Sequence, residues 1–204
     1  MRRLPVYLLL DTSGSMYGEP IEAVKNGVGV LLSALKSDPY ALETAYLSII
    51  TFNSDVEQIV KLTEINSVNT PTLTAGGCTE LGQALKVVSD CINTEVVKST
   101  KEVKGDWKPM VFIMTDGEPT DDLDKGLKEF SQLKLGIVVA CAAGAGANTN
   151  TLKKITDNVV SLDSTDSQSI KAISSGSQKI EETGSQNNNL DELPPPPDEI
   201  NIVV

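Results

Sequence analysis

The sequence predicts an α/β fold: a doubly wound, mostly parallel sheet flanked by helices, with one antiparallel edge strand. Three observations carry this expectation. Short runs that are apolar on both faces recur along the chain, at 4–10, 110–114 and 135–142, as strands buried between helix layers require. Between them lie stretches whose apolar residues repeat at helical spacing, and regular alternation of strand and helix is the pattern of a doubly wound sheet. Finally, Ala45–Phe52 and 56–62 flank the polar turn Asn53-Ser54-Asp55, which reads as a hairpin and supplies the antiparallel edge.

Taken in order, the first strand, 4–10, runs directly into Asp11. A helix follows on Ile21, Val24, Val28, Leu31, Leu32 and Leu35, with Pro20 in its first turn and Asp38-Pro39 as its stop. Gly27 and Gly29 inside that helix each cost about 1 kcal/mol of propensity, which close packing against the sheet would explain. Leu81, Leu85, Val88 and Ile92 form a second apolar stripe. Leu123, Leu127 and Phe130 form a third, with Asp121 and Asp122 placed to complement its N-terminal dipole. Gly144 and Gly146 fit a tight turn after the strand at 135–142, with a short helix near 148–155 and a last strand at Val159–Leu162. Thr165-x-x-Gln168 resembles a capping box opening a helix to about Glu181. The remainder, with Pro194–Pro197, has the composition of a polyproline II segment. The expected division is a domain over 1–182 and a proline-containing tail over 183–204.

Composition narrows the function. The 204 residues, 40% hydrophobic, suit one α/β domain. Lys and Arg total 17 against 28 Asp and Glu, a net charge of −11, which disfavours nucleic acid and anionic membrane as partners. There is no histidine, which removes Ser-His-Asp and Cys-His nucleophile systems, His-ligated zinc and any histidine acid or base. Cys78, Cys91 and Cys141 form neither a CxxC pair nor a disulfide framework and point to a reducing compartment. The apolar run after Met1-Arg2-Arg3 is seven residues long and ends at Asp11, too short for a signal peptide. No run approaches the roughly 20 apolar residues of a membrane span. The expectation is a cytoplasmic protein.

Three strand-to-helix loops are rich in oxygen ligands: Asp11-Thr12-Ser13-Gly14-Ser15-Met16, Thr74-Ala75-Gly76-Gly77-Cys78-Thr79 and Thr115-Asp116-Gly117-Glu118. Asp11, Ser13 and Ser15 alternate, so their side chains can converge, and Gly14 allows the tight turn. Two carboxylates and three hydroxyls around one spot are hard ligands that select Mg²⁺ or Mn²⁺. Two carboxylates about neutralise a dication, while neutral hydroxyls leave it electron-poor and open to an outside carboxylate. Without an evident base, such a site suits holding an anion rather than activating water. Each residue also has a plainer role: Thr79 as a helix N-cap, Ser13 and Ser15 as turn residues, Asp116 as a turn Asp.

In order and spacing, Asp11-x-Ser13-x-Ser15, Thr79 and Asp116 resemble the metal-ion-dependent adhesion site of the von Willebrand factor A domain, over about residues 1–182. The resemblance implies Asp11, Ser13, Ser15, Thr79 and Asp116 as metal ligands, with the two aspartates acting directly or through water. Met16, Tyr17 and Glu118 flank that spot and are expected on a partner-contacting rim. The runs LPVYLLLDTSGSM, GGCTELGQAL and FIMTDGEPTDD further resemble the TerY group of tellurium-resistance proteins. That resemblance implies a non-enzymatic module working beside a kinase-like or phosphatase-like protein in a stress response.

Two alternatives stand beside it. Asp11 at a strand end also fits the nucleophile of a haloacid-dehalogenase-like phosphotransferase. Such an enzyme needs a second Asp two residues on, where this chain has Ser13, and its later lysine and acidic pair have only Lys108 and Asp121-Asp122 as candidates. The other alternative is a metal-independent scaffold. Gly144-Ala-Gly146 lacks the third glycine of a dinucleotide loop, and the chain has no phosphate-binding GxxxxGK[ST].

Overall fold

The computed structural model describes residues 2–162. The expected helix at 165–181, the tail and the 182/183 boundary lie outside them. The described elements are β1 (Leu4–Asp11), α1 (Glu19–Ser37), α2 (Pro39–Thr44), β2 (Ala45–Phe52), β3 (Val56–Glu64), α3 (Leu81–Glu95), β4 (Met110–Thr115), α4 (Leu123–Phe130), β5 (Ile137–Ala143), α5 (Thr149–Lys153) and β6 (Val159–Leu162). They form a six-stranded sheet in the order β3-β2-β1-β4-β5-β6. All neighbouring pairs are parallel except β2 with β3, so the hairpin does supply the one antiparallel edge.

Alternation along the central strands divides the core. Val6, Leu8 and Leu10 of β1 and Met110, Phe112 and Met114 of β4 pack with Val24, Val28, Leu31 and Leu35 of α1. Tyr7, Leu9, Val111 and Ile113 face the other way, against Leu81, Leu85 and Val88 of α3 and Phe130 of α4. Every residue of β4 is buried, as a strand covered on both faces demands. Leu152 of α5 joins Ala140, Ala142 and Val159 in a small third cluster.

Several local expectations are corrected. Asp38-Pro39 ends α1 but also opens α2, because the Asp38 carboxylate accepts from the backbone N–H groups of Tyr40 and Ala41 and Pro39 sits in the first turn. Gly27 is buried, but a Cβ at half-buried Gly29 would meet nothing within 4 Å among the described residues, so sheet packing does not explain it. Asp122 caps α4 through the Lys125 N–H. Asp121 instead accepts from Gly82 N (2.9 Å) and Gln83 N (2.7 Å), the first turn of α3. That crossing is tight. A Cβ on Gly126 of α4 would run into the Gly82 carbonyl, and one on Gly82 into the Asp122 carbonyl, so the two helices meet backbone to backbone.

The sheet positions a site by its topology. From β1 the chain winds outward through β2 and β3, then returns to β4 on the other side of β1 and winds away through β5 and β6. The order therefore reverses between β1 and β4, and the loops leaving their carboxyl ends diverge around a crevice.

Candidate metal centre at the carboxyl edge

Each oxygen-bearing loop is held by bonds that the fold itself closes. Thr12 donates its N–H (2.8 Å) and its hydroxyl (3.2 Å) to the Phe52 carbonyl at the end of β2. Its own carbonyl accepts from Gly76 N (2.8 Å), and Gly14 N donates to the Gly77 carbonyl (2.9 Å). These bonds lay the 74–80 loop against the first. Gly77 has φ +83°, and a Cβ there would strike the Ser54 hydroxyl at 2.6 Å, so the turn needs glycine. The third loop joins through a reciprocal pair: Thr79 N donates to the Thr120 hydroxyl (3.0 Å), and Thr120 N to the Thr79 carbonyl (2.9 Å). Asn148 N donates to the Asp116 carbonyl (2.6 Å), tying in the loop after β5.

On this frame the expected residues take distinct positions. Asp11 is fully buried at the end of β1, accepting from Ser13 N at 2.8 Å and from the Thr115 hydroxyl. Ser13 is buried and its hydroxyl lies 3.1 Å from that of Ser15, which is exposed. Asp116 is 8% exposed, and one of its oxygens accepts from Glu118 N at 3.2 Å. Burial pushes the Asp11 carboxyl above its ordinary value; hydrogen bonds from Ser13 and Thr115 oppose the rise, and the nearby charge of Asp116 adds to it.

Thr79 is 4% exposed but does not cap α3, whose N-cap is Glu80. Its hydroxyl has no hydrogen-bond partner among the described residues. No side-chain polar atom shut away from solvent lacks a partner among them. The Thr79 hydroxyl therefore opens to the surface of the crevice.

The rim expectation holds only in part as a matter of exposure. Tyr17 is 83% exposed and Glu118 is exposed. Met16 is fully buried: the 3₁₀ turn Gly14–Met16 swings its side chain into the core beside Leu8, Leu10 and Val24. Thr115 was not marked as functional in the sequence. It orients Asp11 and also accepts from Gly117 N at 3.0 Å. A threonine closing a buried strand just before Asp-Gly was the available signal.

The donor set fits a hard dication. Asp11 and Asp116 are two buried, neighbouring carboxylates, and among the described residues neither has a basic partner. Residues 11–18, 53–55, 65–80, 116–122 and 144–148 contain no lysine or arginine. Burying such charge without a compensating cation is costly. Each carboxylate oxygen has a second lone pair for a further partner. No three His, Cys, Asp or Glu side chains converge as a metal cluster among the described residues, so these loops offer two carboxylates and hydroxyls only.

The model of the von Willebrand factor type A domain matches residues 6–179. The chain belongs to that family. A comparison with curated protein sequences gave no match. Among solved structures, a von Willebrand factor type A protein from Catenulispora acidiphila is 16% identical, with a TM-score of 0.63 over 87% of this chain and 43% of that one. The manganese-loaded TRAP protein of Plasmodium vivax is 21% identical, with a TM-score of 0.58 over 79% of this chain and 69% of that one. Proximal thread matrix protein 1 of the mussel byssus is 19% identical, with a TM-score of 0.56 over 85% and 46% respectively. The chain thus spans less than half the length of the first and third. At these identities the likeness is one of fold, and the von Willebrand A sheet, antiparallel edge included, is what they share. Among the described residues no helix is long and apolar enough to cross a membrane.

Proposed function

We propose that this von Willebrand A domain is a metal-dependent protein-binding module, with Asp11, Ser13, Ser15, Thr79 and Asp116 holding Mg²⁺ or Mn²⁺. The observation that carries the reading is the pair of buried carboxylates, Asp11 and Asp116, without a cation on any loop around them. Bound there, the metal supplies a Lewis-acidic centre that takes an oxygen ligand from outside. The chain's own residues do the rest. Ser13 N and the Thr115 hydroxyl orient Asp11, Glu118 N orients Asp116, and the Thr79 hydroxyl faces the crevice without a competing partner. The carboxylate of a partner protein is the ligand that best completes such a site. The manganese held by the Plasmodium TRAP structure is consistent with a divalent ion in this family.

The module reading is preferred to a phosphotransferase. Asp11 is fully buried with both oxygens hydrogen-bonded, and the position two residues on is Ser13, which cannot serve as the acid and base. The same proposal carries the finer expectations: a cytoplasmic stress-response role of the tellurium-resistance type, and a kinase or phosphatase as partner. Calorimetric titration of Mg²⁺ and Mn²⁺ into metal-free protein tests its foundation. One saturable site in the native chain, lost in Asp11→Ala, is expected. No heat from either ion in the native chain would sink the metal reading and leave the metal-independent scaffold.

A further inference from the structure

We infer that the partner segment taken at this edge sets its carboxylate between lysines or arginines; the inference rests on the metal-dependent reading above. Metal neutralises Asp11 and Asp116, but the surrounding rim stays acidic. Asp55 and Glu118 are exposed on their loops and Glu80 is half-buried beside Thr79. The five loop stretches that form the edge supply no lysine or arginine to offset them. A partner carboxylate approaching the metal therefore meets three like charges at short range. A bare acidic segment is repelled, whereas cationic neighbours convert the same three charges into attraction.

Two observations besides the acidic residues support this. The Thr79 hydroxyl, on a residue 4% exposed and without a partner of its own, marks an unfilled polar position in the crevice. Tyr17, 83% exposed on the turn after Met16, offers an aromatic face to an ammonium or guanidinium group. An aromatic ring left in water beside an acidic rim is suited to a cationic, partly apolar side chain and poorly suited to another carboxylate.

Fluorescence polarisation with three labelled peptides of equal length tests the inference on Mg²⁺- or Mn²⁺-saturated protein. Each has a central Glu, flanked by Lys, by Ser or by Asp. The Lys-flanked peptide should bind about tenfold more tightly than the Ser-flanked one at low salt, from two or three rim contacts. The Asp-flanked peptide should bind least. The Lys advantage should shrink as salt rises. It should also shrink in Asp55→Asn/Glu80→Gln/Glu118→Gln, changes confined to the surface and checked for folding by circular dichroism. Metal-dependent binding that is equal for Lys- and Ser-flanked peptides overturns this inference and leaves the module reading intact. So does failure of the Lys-flanked peptide to bind metal-loaded protein at all. Lys-flanked peptide that binds equally in EDTA, or equally with Gln in place of Glu, overturns both.

Discussion

The two ends of the sheet handle polar groups in opposite ways. At the amino end, before β1 and β4, the chain is basic, with Arg2, Arg3, Lys98, Lys101, Lys104 and Lys108, and its bonds close internally. Arg3 reaches Asp106 through two nitrogens and also the Glu95 carbonyl (3.0 Å). Asp106 in turn accepts from Val97 N at 2.8 Å. Arg2 donates to the carbonyls of Gly105 (2.8 Å) and Asp106 (3.1 Å) and lies 3.8 Å from the centre of the Trp107 ring. At the carboxyl end the backbone is equally well tied, yet two buried carboxylates have no basic partner and a buried threonine has an unpartnered hydroxyl. One end uses its charges to hold the structure together. The other leaves its charges for something from outside. Changes at the amino end should therefore cost stability and spare binding, and changes at the carboxyl end the reverse.

The largest effect to look for is on metal affinity at the carboxyl end. Asp116→Asn keeps an oxygen for the Glu118 N–H but removes one of only two charges, and should weaken Mg²⁺ binding more than about 100-fold, beyond what loss of a supporting residue does. In metal-free protein the same change relieves repulsion with Asp11, so stability should rise by up to about 1 kcal/mol. Calorimetry and thermal melts with and without Mg²⁺ measure both quantities. A metal-free protein made less stable by Asp116→Asn would show that the carboxylate serves the fold, and the contrast between the ends would collapse.

At the amino end, Asp106→Ala should do the opposite. The Asp106 side chain is 6% exposed, whereas the Arg3 side chain is 28% exposed and keeps some access to water. Loss of the pair and of the Val97 bond should cost about 2 kcal/mol, moderated by that access. A melting temperature lowered by roughly 5 °C with unchanged Mg²⁺ affinity is the expected result. A change in metal affinity would mean that the two ends communicate through the sheet.

What the sequence revealed follows the same division between local and distant causes. The six strands, their order of appearance and the hairpin were legible because apolar runs and a polar turn are local signals. So was the candidate set Asp11, Ser13, Ser15, Thr79 and Asp116, since each falls where a buried strand or a glycine-rich loop gives way to a helix. Asp121 was assigned to the wrong helix because its true partners, Gly82 and Gln83, lie nearly forty residues away and only the α3–α4 crossing brings them near. The Gly82–Gly126 approach was hidden for the same reason. Asp38-Pro39 carries two messages, a stop for one helix and a start for the next, and only the first was read. Met16 was placed on the rim because its loop is exposed; a single 3₁₀ turn reverses that for one side chain.

The smallest effect is in the thiols, which sample the contrast chemically. Cys78 is exposed on the 74–80 loop next to Thr79, Cys91 is half-buried in α3, and Cys141 is fully buried in β5. Burial pushes the Cys91 thiol up to about 11, with the charges of Glu95 and Asp90 adding to the rise, and pushes Cys141 up to about 12. At pH 8 a thiol reagent should therefore modify Cys78 rapidly, Cys91 slowly and Cys141 only on unfolding. Between pH 9 and these raised values the folded chain keeps protons that the unfolded chain has lost, so the thiols' contribution to stability declines as pH rises through that window. The informative arm is Cys78. If the carboxyl end receives a partner, the Lys-flanked Glu peptide with Mg²⁺ should slow modification of Cys78 and leave the rate at Cys91 unchanged. Equal slowing at both would report a general tightening of the domain, and no slowing at Cys78 would place the bound peptide away from the 74–80 loop.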